Sequence, residues 1–264
     1  MIDAHCHLNF YKFKTDIAEV VANAERAGVT KIVNVGTSLE SSREAIEIAD
    51  IYTPCYAVVG IHPHHADKVQ EGWIEQLEKM IDHPKVLGVG EIGLDFFSYK
   101  SNGIVDPVLQ EKIFRSQIEL AIKHSLPIQI HNRHAGHEVV SILTEYTSQL
   151  QSPPGVFHCF AGDLEILEKV LALGFFVGFD GNSTYPGLAP GENTELKTLI
   201  AHTPIERIII ETDSPYLTPI PLRGTRNEPK NVIIVNEFVA GIKEISPQEL
   251  AFATTKNFTT VFSV

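Results

Sequence analysis

Two histidines, His5 and His7, flank a single residue in Ile2-Asp3-Ala4-His5-Cys6-His7-Leu8. In an extended strand, residues two apart point to the same face, so the two imidazoles would stand side by side. Such a pair suits two ligands on one metal ion. Four more side chains able to bind a metal, Glu91, His131, His158 and Asp213, each follow a run of strand-forming residues far away in sequence. The pattern predicts a metal centre assembled from the ends of several strands. His83, His124, His134, His137 and His202 fall on expected helices or helix ends, and no such role is expected of them.

Glu91 lies in Val89-Gly90-Glu91-Ile92-Gly93-Leu94-Asp95, directly after apolar residues. Burying a carboxylate there is costly without a cation or hydrogen-bond donors, which favours a metal partner. Asp213, in Ile210-Glu211-Thr212-Asp213-Ser214-Pro215, could simply cap a turn, but barrel strand ends are where catalytic carboxylates gather. Glu211 shares its parity and is expected to point inward as a hydrogen-bond acceptor rather than a ligand. Six ligands exceed the needs of one four-coordinate zinc. Two ions bridged by Glu91 fit the count: His5, His7, Glu91 and Asp213 on one, and Glu91, His131 and His158 on the other. Ions about 3.5–4 Å apart activate a water and stabilise charge on an attacked ester. Mixed imidazole and carboxylate ligands admit zinc, manganese or iron, and magnesium less readily.

Elements must bring these residues together. Short apolar, often β-branched runs at 2–7, 31–35, 55–61, 86–91, 127–131, 155–158, 175–179 and 207–211 predict eight strands. Helical patterns between and after them cover about 15–27, 39–50, 67–81, 108–124, 135–149, 163–172, 194–201, 229–245 and 247–258. Gly28 and Gly174 read as helix stops, and Ser246-Pro247-Gln248-Glu249 as a helix start. Eight strands alternating with helices predict a (β/α)8 TIM barrel forming a single domain over 1–264, with every candidate ligand on one rim. A doubly wound open sheet fits less well, since no glycine-rich phosphate loop is present. Loops 97–107 and 180–193 leave the same rim and are expected to wall the cleft.

The 264 residues are 44% hydrophobic and 20% charged, as expected of a globular enzyme. Cys6, Cys55 and Cys159 form no motif and leave one over, so a disulfide framework is not expected. No apolar run spans a bilayer and no signal peptide is evident, which predicts a cytoplasmic protein without a membrane partner. A monomer with no obligate protein partner is expected. The net charge of −12 argues against long-range attraction of nucleic acid. Binding would have to be local, through metal ions and through Arg133, Arg223, Arg226 and Lys230 near the expected site loops.

These motifs, in order and nearly full length, resemble the TatD family of metal-dependent hydrolases, described as deoxyribonucleases, within the wider amidohydrolase-like barrels. The resemblance rests on Asp3-Ala4-His5-Cys6-His7-Leu8, Gly60-Ile61-His62-Pro63-His64, Gly90-Glu91-Ile92-Gly93-Leu94-Asp95, His131-Asn132-Arg133-His134-Ala135 and His158-Cys159-Phe160-Ala161-Gly162. Glu211-Thr212-Asp213-Ser214-Pro215-Tyr216-Leu217 and Arg223-Gly224-Thr225-Arg226-Asn227-Glu228-Pro229 complete it. It implies metal roles for His5, His7, Glu91, His131, His158 and Asp213, and a substrate-facing role for His62. Ala161 stands where a serine is common and Thr225 where a basic residue is common, while Ser101-Asn102-Gly103-Ile104-Val105-Asp106 lacks the usual charged character. None of these is a ligand; the last two bear on substrate preference.

The expected reaction is hydrolysis of DNA phosphodiester bonds by a metal-activated water, on single strands and in exonuclease fashion, with Asp213 and Glu91 as catalytic carboxylates. Asp213 would accept a proton. His62, Arg133 and Arg226 are the expected phosphate contacts, a guanidinium offering two parallel hydrogen bonds. The alternative is cleavage of a small amide, lactone or phosphoester. Related dinuclear barrels often bridge their ions with a carboxylated lysine, but no lysine lies between Lys85 and Lys100, and Glu91 holds the position. A metal-binding scaffold without turnover would be expected to have lost ligands, and none is missing.

Overall fold

Val, Ile and Phe runs that can be buried on both faces form a parallel sheet only if helices cover its outside. The computed structural model, which describes residues 1–100 and 103–264, has this arrangement. Eight strands, β1 (Ile2–Cys6), β2 (Lys31–Val35), β3 (Cys55–Val59), β4 (Val86–Asp95), β5 (Ile128–Arg133), β6 (Gly155–Phe157), β7 (Phe176–Phe179) and β8 (Ile208–Ile210), pair in sequence order, each parallel to the next. Among the described residues, the helices are α1 (Ile17–Arg26), α2 (Leu39–Ile51), α3 (Trp73–Ile81), α4 (Pro107–His124), α5 (Gly136–Tyr146), α6 (Leu164–Ala172), α7 (Leu196–His202), α8 (Val232–Ile242) and α9 (Pro247–Phe262). This is the (β/α)8 barrel expected from the alternation. No helix among the described residues is long and apolar enough to cross a membrane.

The seam between β1 and β8 closes just beyond β8. Cys6 bridges Ser214, His7 N–H donates to Ser214 O at 2.7 Å, and Asp213 N–H donates to His5 O at 2.9 Å. Buried Asp3 ties the seam from below, accepting from Thr212 N at 2.9 Å and from Thr212 Oγ1 at 2.7 Å. The barrel interior is filled by Ile2, Ala4, Val33, Val35, Val58 and Ile209, against which Phe258 and Phe262 of α9 pack. The larger core lies between the strands and the helix ring. Ser246 and Glu249 form the reciprocal cap that starts α9, as the Ser-Pro-Gln-Glu run predicts.

Two strands run past their expected ends. β4 continues to Asp95 through a register shift between Gly90 and Ile92, so Glu91 lies within it rather than closing it. Gly93, at φ +149°, permits this path: a Cβ there would collide with the His131 carbonyl. β5 likewise continues past His131 to Arg133. The helix expected over 67–81 is shorter, because Pro63–Lys68 forms a 3-10 turn and α3 begins only at Trp73. In the loop after β4, Tyr99 pairs with Gly103, while Ser101 and Asn102 of the segment noted for its missing charge lie outside the described residues.

Candidate metal centre

His5 lies within β1 and His7 just past it, and their Nε2 atoms are 3.1 Å apart, as same-face strand neighbours should be. Asp213, in the left-handed region at φ +52°, turns its Oδ1 to 3.7 Å from His5 Nε2 and 3.5 Å from His7 Nε2. Glu91 Oε2 lies 3.8 Å from both imidazoles. The other Glu91 oxygen, Oε1, faces a second set: His131 Nδ1 and His158 Nε2 are each 2.7 Å away. The structure thus brings all six expected ligands together, with Glu91 between His5, His7 and Asp213 on one side and His131 and His158 on the other. Side chains here also cluster as His5, His158 and Glu211 and as His62, Asp95 and His131.

The donor set fits cations. Two ligands about 2.1 Å from one tetrahedral zinc stand about 3.4 Å apart, and the first group's contacts span 3.1 to 3.8 Å. Those between imidazole and carboxylate are too long for good hydrogen bonds. Beneath the six lies a surplus of acid: Glu211 and Asp180 are fully buried. Burial, and then the charges of Asp213 and Glu211, push Asp180 up to about 8. Buried carboxyls this close together resist ionising unless a positive partner joins them.

The surroundings tune each imidazole. Burial, and then neighbouring His158, hold His5 well below its ordinary value, which keeps a lone pair free for a metal. For His7 burial acts downward, but Asp213 and Glu91 outweigh it and the net shift is upward. His158 behaves likewise, with Glu91 and Glu211 overcoming burial. Burial would raise Glu91, yet His158, His62 and His131 hold it well below the usual carboxylate range.

The three expected substrate contacts fare differently. His62 caps the turn after β3: its Nδ1 accepts from His64 N at 3.1 Å, which leaves its proton on Nε2, 3.6 Å from Glu91 Oε1. Arg133 stands at the rim with its guanidinium 4.1 Å from the Phe97 ring centroid, and it donates to Tyr99 Oη at 2.8 Å. Arg226 is spent elsewhere. Its Nη1 donates to Lys12 O and Asp16 Oδ1 at 2.7 and 2.9 Å, and its Nη2 to Asp16 Oδ2 and Glu228 Oε1 at 2.7 and 3.0 Å. Lys230 pairs with Glu228 at 2.9 Å. These bonds hold the loop after β8 to the start of α1.

Sequence reasoning missed Asp95. Fully buried at the end of β4, it stands 3.1 Å from His131 Nε2 and 3.1 Å from His64 Nε2, and it accepts from Tyr99 Oη at 3.1 Å. The motif ending Gly93-Leu94-Asp95 contained the signal, but placing the strand end at residue 91 hid it. The aromatic rim was missed as well. Phe10 stacks on His7 with centroids 4.4 Å apart and planes at 9°, and Tyr216 meets Phe10 edge-on at 6.1 Å.

A family model described as TatD related DNase matches residues 2–263. The metal-dependent hydrolase YabD of Bacillus subtilis is 36% identical over 264 residues, covering 100% of this chain and 99% of that one. A 3'-5' ssDNA/RNA exonuclease TatD from Pectobacterium atrosepticum is 36% identical over 236 residues, covering 87% and 86%. The crystal structure of YjjV, a TatD homologue from Escherichia coli K12, superposes with a TM-score of 0.89 at 30% identity, covering 100% of this chain and 98% of that one. With its barrel, its two ligand groups and a match over nearly its whole length, this chain belongs to the TatD-related DNase family of metal-dependent hydrolases.

Proposed function

We propose that this protein hydrolyses phosphodiester bonds in single-stranded DNA from a strand end. Two divalent cations would be held by His5, His7, Glu91 and Asp213 on one side and by Glu91, His131 and His158 on the other. The observation that carries this reading is the divided Glu91 carboxylate, one oxygen toward each group. Zinc or manganese suits the mixed nitrogen and oxygen donors best. Bound there, the ions supply Lewis acidity at phosphorus and lower the pKa of water toward neutrality.

The remaining work falls to side chains. Asp213, 15% exposed against 4% for Glu91, is the more open of the two carboxylate ligands and would take the proton of the attacking water. His62, held neutral by burial and then by neighbouring His131, presents its Nε2–H toward the site as a donor to a phosphate oxygen. Arg133, braced by Phe97 and Tyr99, keeps guanidinium donors for a second phosphate oxygen.

The rim favours a single strand. Phe10, Tyr11 and Tyr216 line it beside His7, with Lys12 Nζ 4.9 Å from the Tyr216 ring centroid. Phe97 and Tyr99 line it beside His131 and Arg133. Aromatic faces flanked by cations take unpaired bases, whose π-faces a duplex hides. The basic groups are local, as a chain of net charge −12 requires. The activity named for the Pectobacterium relative, a 3'-5' ssDNA/RNA exonuclease, agrees in class and supplies the polarity to be tested.

The test is a degradation assay with metal-loaded protein on 5′- and 3′-labelled single strands, alongside duplex DNA, RNA, lactones and cyclic amides. Stepwise shortening of single strands from the 3′ end is expected. Turnover confined to lactones or amides would overturn the proposal.

A further inference from the structure

Each of the four candidate imidazole ligands has an inner nitrogen, facing the shared Glu91 or Asp213, and an outer one. What the outer nitrogen meets differs between the two groups. His7 Nδ1 lies 2.9 Å from Val35 O. His5 Nδ1 is a buried nitrogen without a hydrogen-bond partner among the described residues, near Gln129, whose Nε2 donates to Ala4 O at 3.0 Å and whose Oε1 is likewise unpartnered. Both neighbours are neutral. In the second group the outer neighbours are carboxylates. His131 Nε2 is 3.1 Å from Asp95 Oδ2, within hydrogen-bond reach, whereas His158 Nδ1 stands 3.6 Å from Glu211 Oε1, a contact between charges that is too long for a hydrogen bond.

Both carboxylates are fully buried and fixed. Asp95 accepts from Phe97 N at 2.9 Å through Oδ1 and faces His131, His64 and Tyr99 through Oδ2. Glu211 accepts from Cys159 N through Oε1, and its Oε2 is a buried oxygen without a hydrogen-bond partner. Neither is paired with a lysine or arginine among the described residues, so the imidazoles are the neighbours able to offer them positive charge. In the two-cation reading the first group has its own carboxylate in Asp213, whereas the second has only the shared Glu91; Asp95 itself clusters with His62 and His131, and Glu211 with His5 and His158.

We propose that Asp95 and Glu211 are positioning residues for the second cation, orienting His131 and His158 from outside and supplying the negative charge that its ligands lack. This rests on the two-cation reading above, though not on the identity of the substrate. An anionic acceptor on the outer nitrogen fixes the ring and its tautomer, and makes the inner nitrogen a stronger donor to a metal. Loss of such a partner lowers metal affinity by about 10–100-fold. Asp95 has a further consequence, because the same carboxylate holds Tyr99, which in turn accepts from Arg133. The grip on the second ion and the posture of the phosphate-facing rim therefore share one side chain.

The test is an equilibrium titration of the full metal-free chain with Zn²⁺ against a chelator of known affinity, read as two classes of bound ion. The wild type is expected to bind two equivalents. D95N and E211Q should each weaken one class 10–100-fold and leave the other unchanged, and the weakened class should be the one that H131A removes. Q129L should act on the opposite class, which keeps the proposal testable if D95N fails to fold. Unchanged affinity in both D95N and E211Q would overturn it, as would equal loss of both classes. Three equivalents in the wild type, falling to two in D95N, would overturn it by making Asp95 itself a ligand. A protein that binds both ions but cleaves no nucleic acid would sink the proposed function and leave this inference standing.

Discussion

His5 and His158 stack face to face, with ring centroids 3.9 Å apart and planes 12° from parallel. One comes from β1 and the other follows β6, so they meet across the barrel mouth rather than along a shared strand pair. Glu91 turns one oxygen toward each of them, and with Glu211 the two imidazoles also form a candidate ligand group of their own. Buried imidazoles and carboxylates at such density are a burden for the fold unless cations neutralise them.

Metal removal should therefore destabilise the protein. An ion present at a hundredfold excess over its dissociation constant contributes about 2.7 kcal/mol. At about 2–4 °C per kcal/mol for a chain of this size, chelation should lower Tm by about 5–10 °C. Thermal unfolding with and without chelator checks this, and an unchanged Tm would mean that the folded state holds no ion tightly.

Asp213 and Glu91 should separate under isosteric substitution. D213N is expected to lower kcat by about 10²–10⁴-fold while metal content, measured by elemental analysis, stays near that of the wild type. E91Q removes charge between both groups and should lose bound metal as well as turnover. Normal turnover in D213N would remove that carboxylate from the proton transfer.

Arg133 and Arg226 should also behave differently. R133L is expected to raise KM for an oligonucleotide about tenfold, as loss of a charge-assisted bond would, with little change in Tm. R226L should leave KM nearly unchanged and cost about 1 kcal/mol of stability, the upper range for a partly exposed ion pair.

The Arg226 pair also sets a pH dependence. The Arg226 guanidinium holds the Asp16 carboxyl below its ordinary value. Its stabilisation is therefore fully present above the unfolded value near pH 4 (roughly 3.9) and is lost as pH falls through the lower folded value. The Tm gap between wild type and R226L should be full at pH 7 and shrink below about pH 4. A constant gap would assign the loss to packing on Phe13, whose ring centroid lies 4.7 Å from the guanidinium.

Y216A tests the aromatic rim. Stacking of one base is worth about 1–3 kcal/mol, so KM for a single strand should rise about 5–100-fold. An oligonucleotide abasic at the stacked position should abolish the difference between variant and wild type. Equal effects on intact and abasic strands would locate the Tyr216 contribution in the loop rather than in base binding.

The barrel and the convergence of the six candidate ligands were legible because both depend on short-range pattern. Parity put His5 beside His7, and β-branched runs marked where each strand would deliver its ligand. What stayed hidden depends on the third dimension. The β4 register shift carries Asp95 to the site, and nothing local distinguishes that shift from a strand that ends at Glu91. Arg226 looked free because its partner, Asp16, lies at the other end of the chain. Gln129 read as one more strand residue until the barrel closed and set its amide against Ala4 and His5.

The seam has a consequence for biosynthesis. His5 and His7 precede Asp213 by more than 200 residues, so they are synthesised well before it. Their shared pocket exists once the chain's beginning has docked on the segment after β8, through Asp3–Thr212 and Cys6–Ser214. A product truncated before Asp213 thus keeps His5 and His7 without the carboxylate that faces them, and assembly of this group reports that β1 has joined the segment after β8.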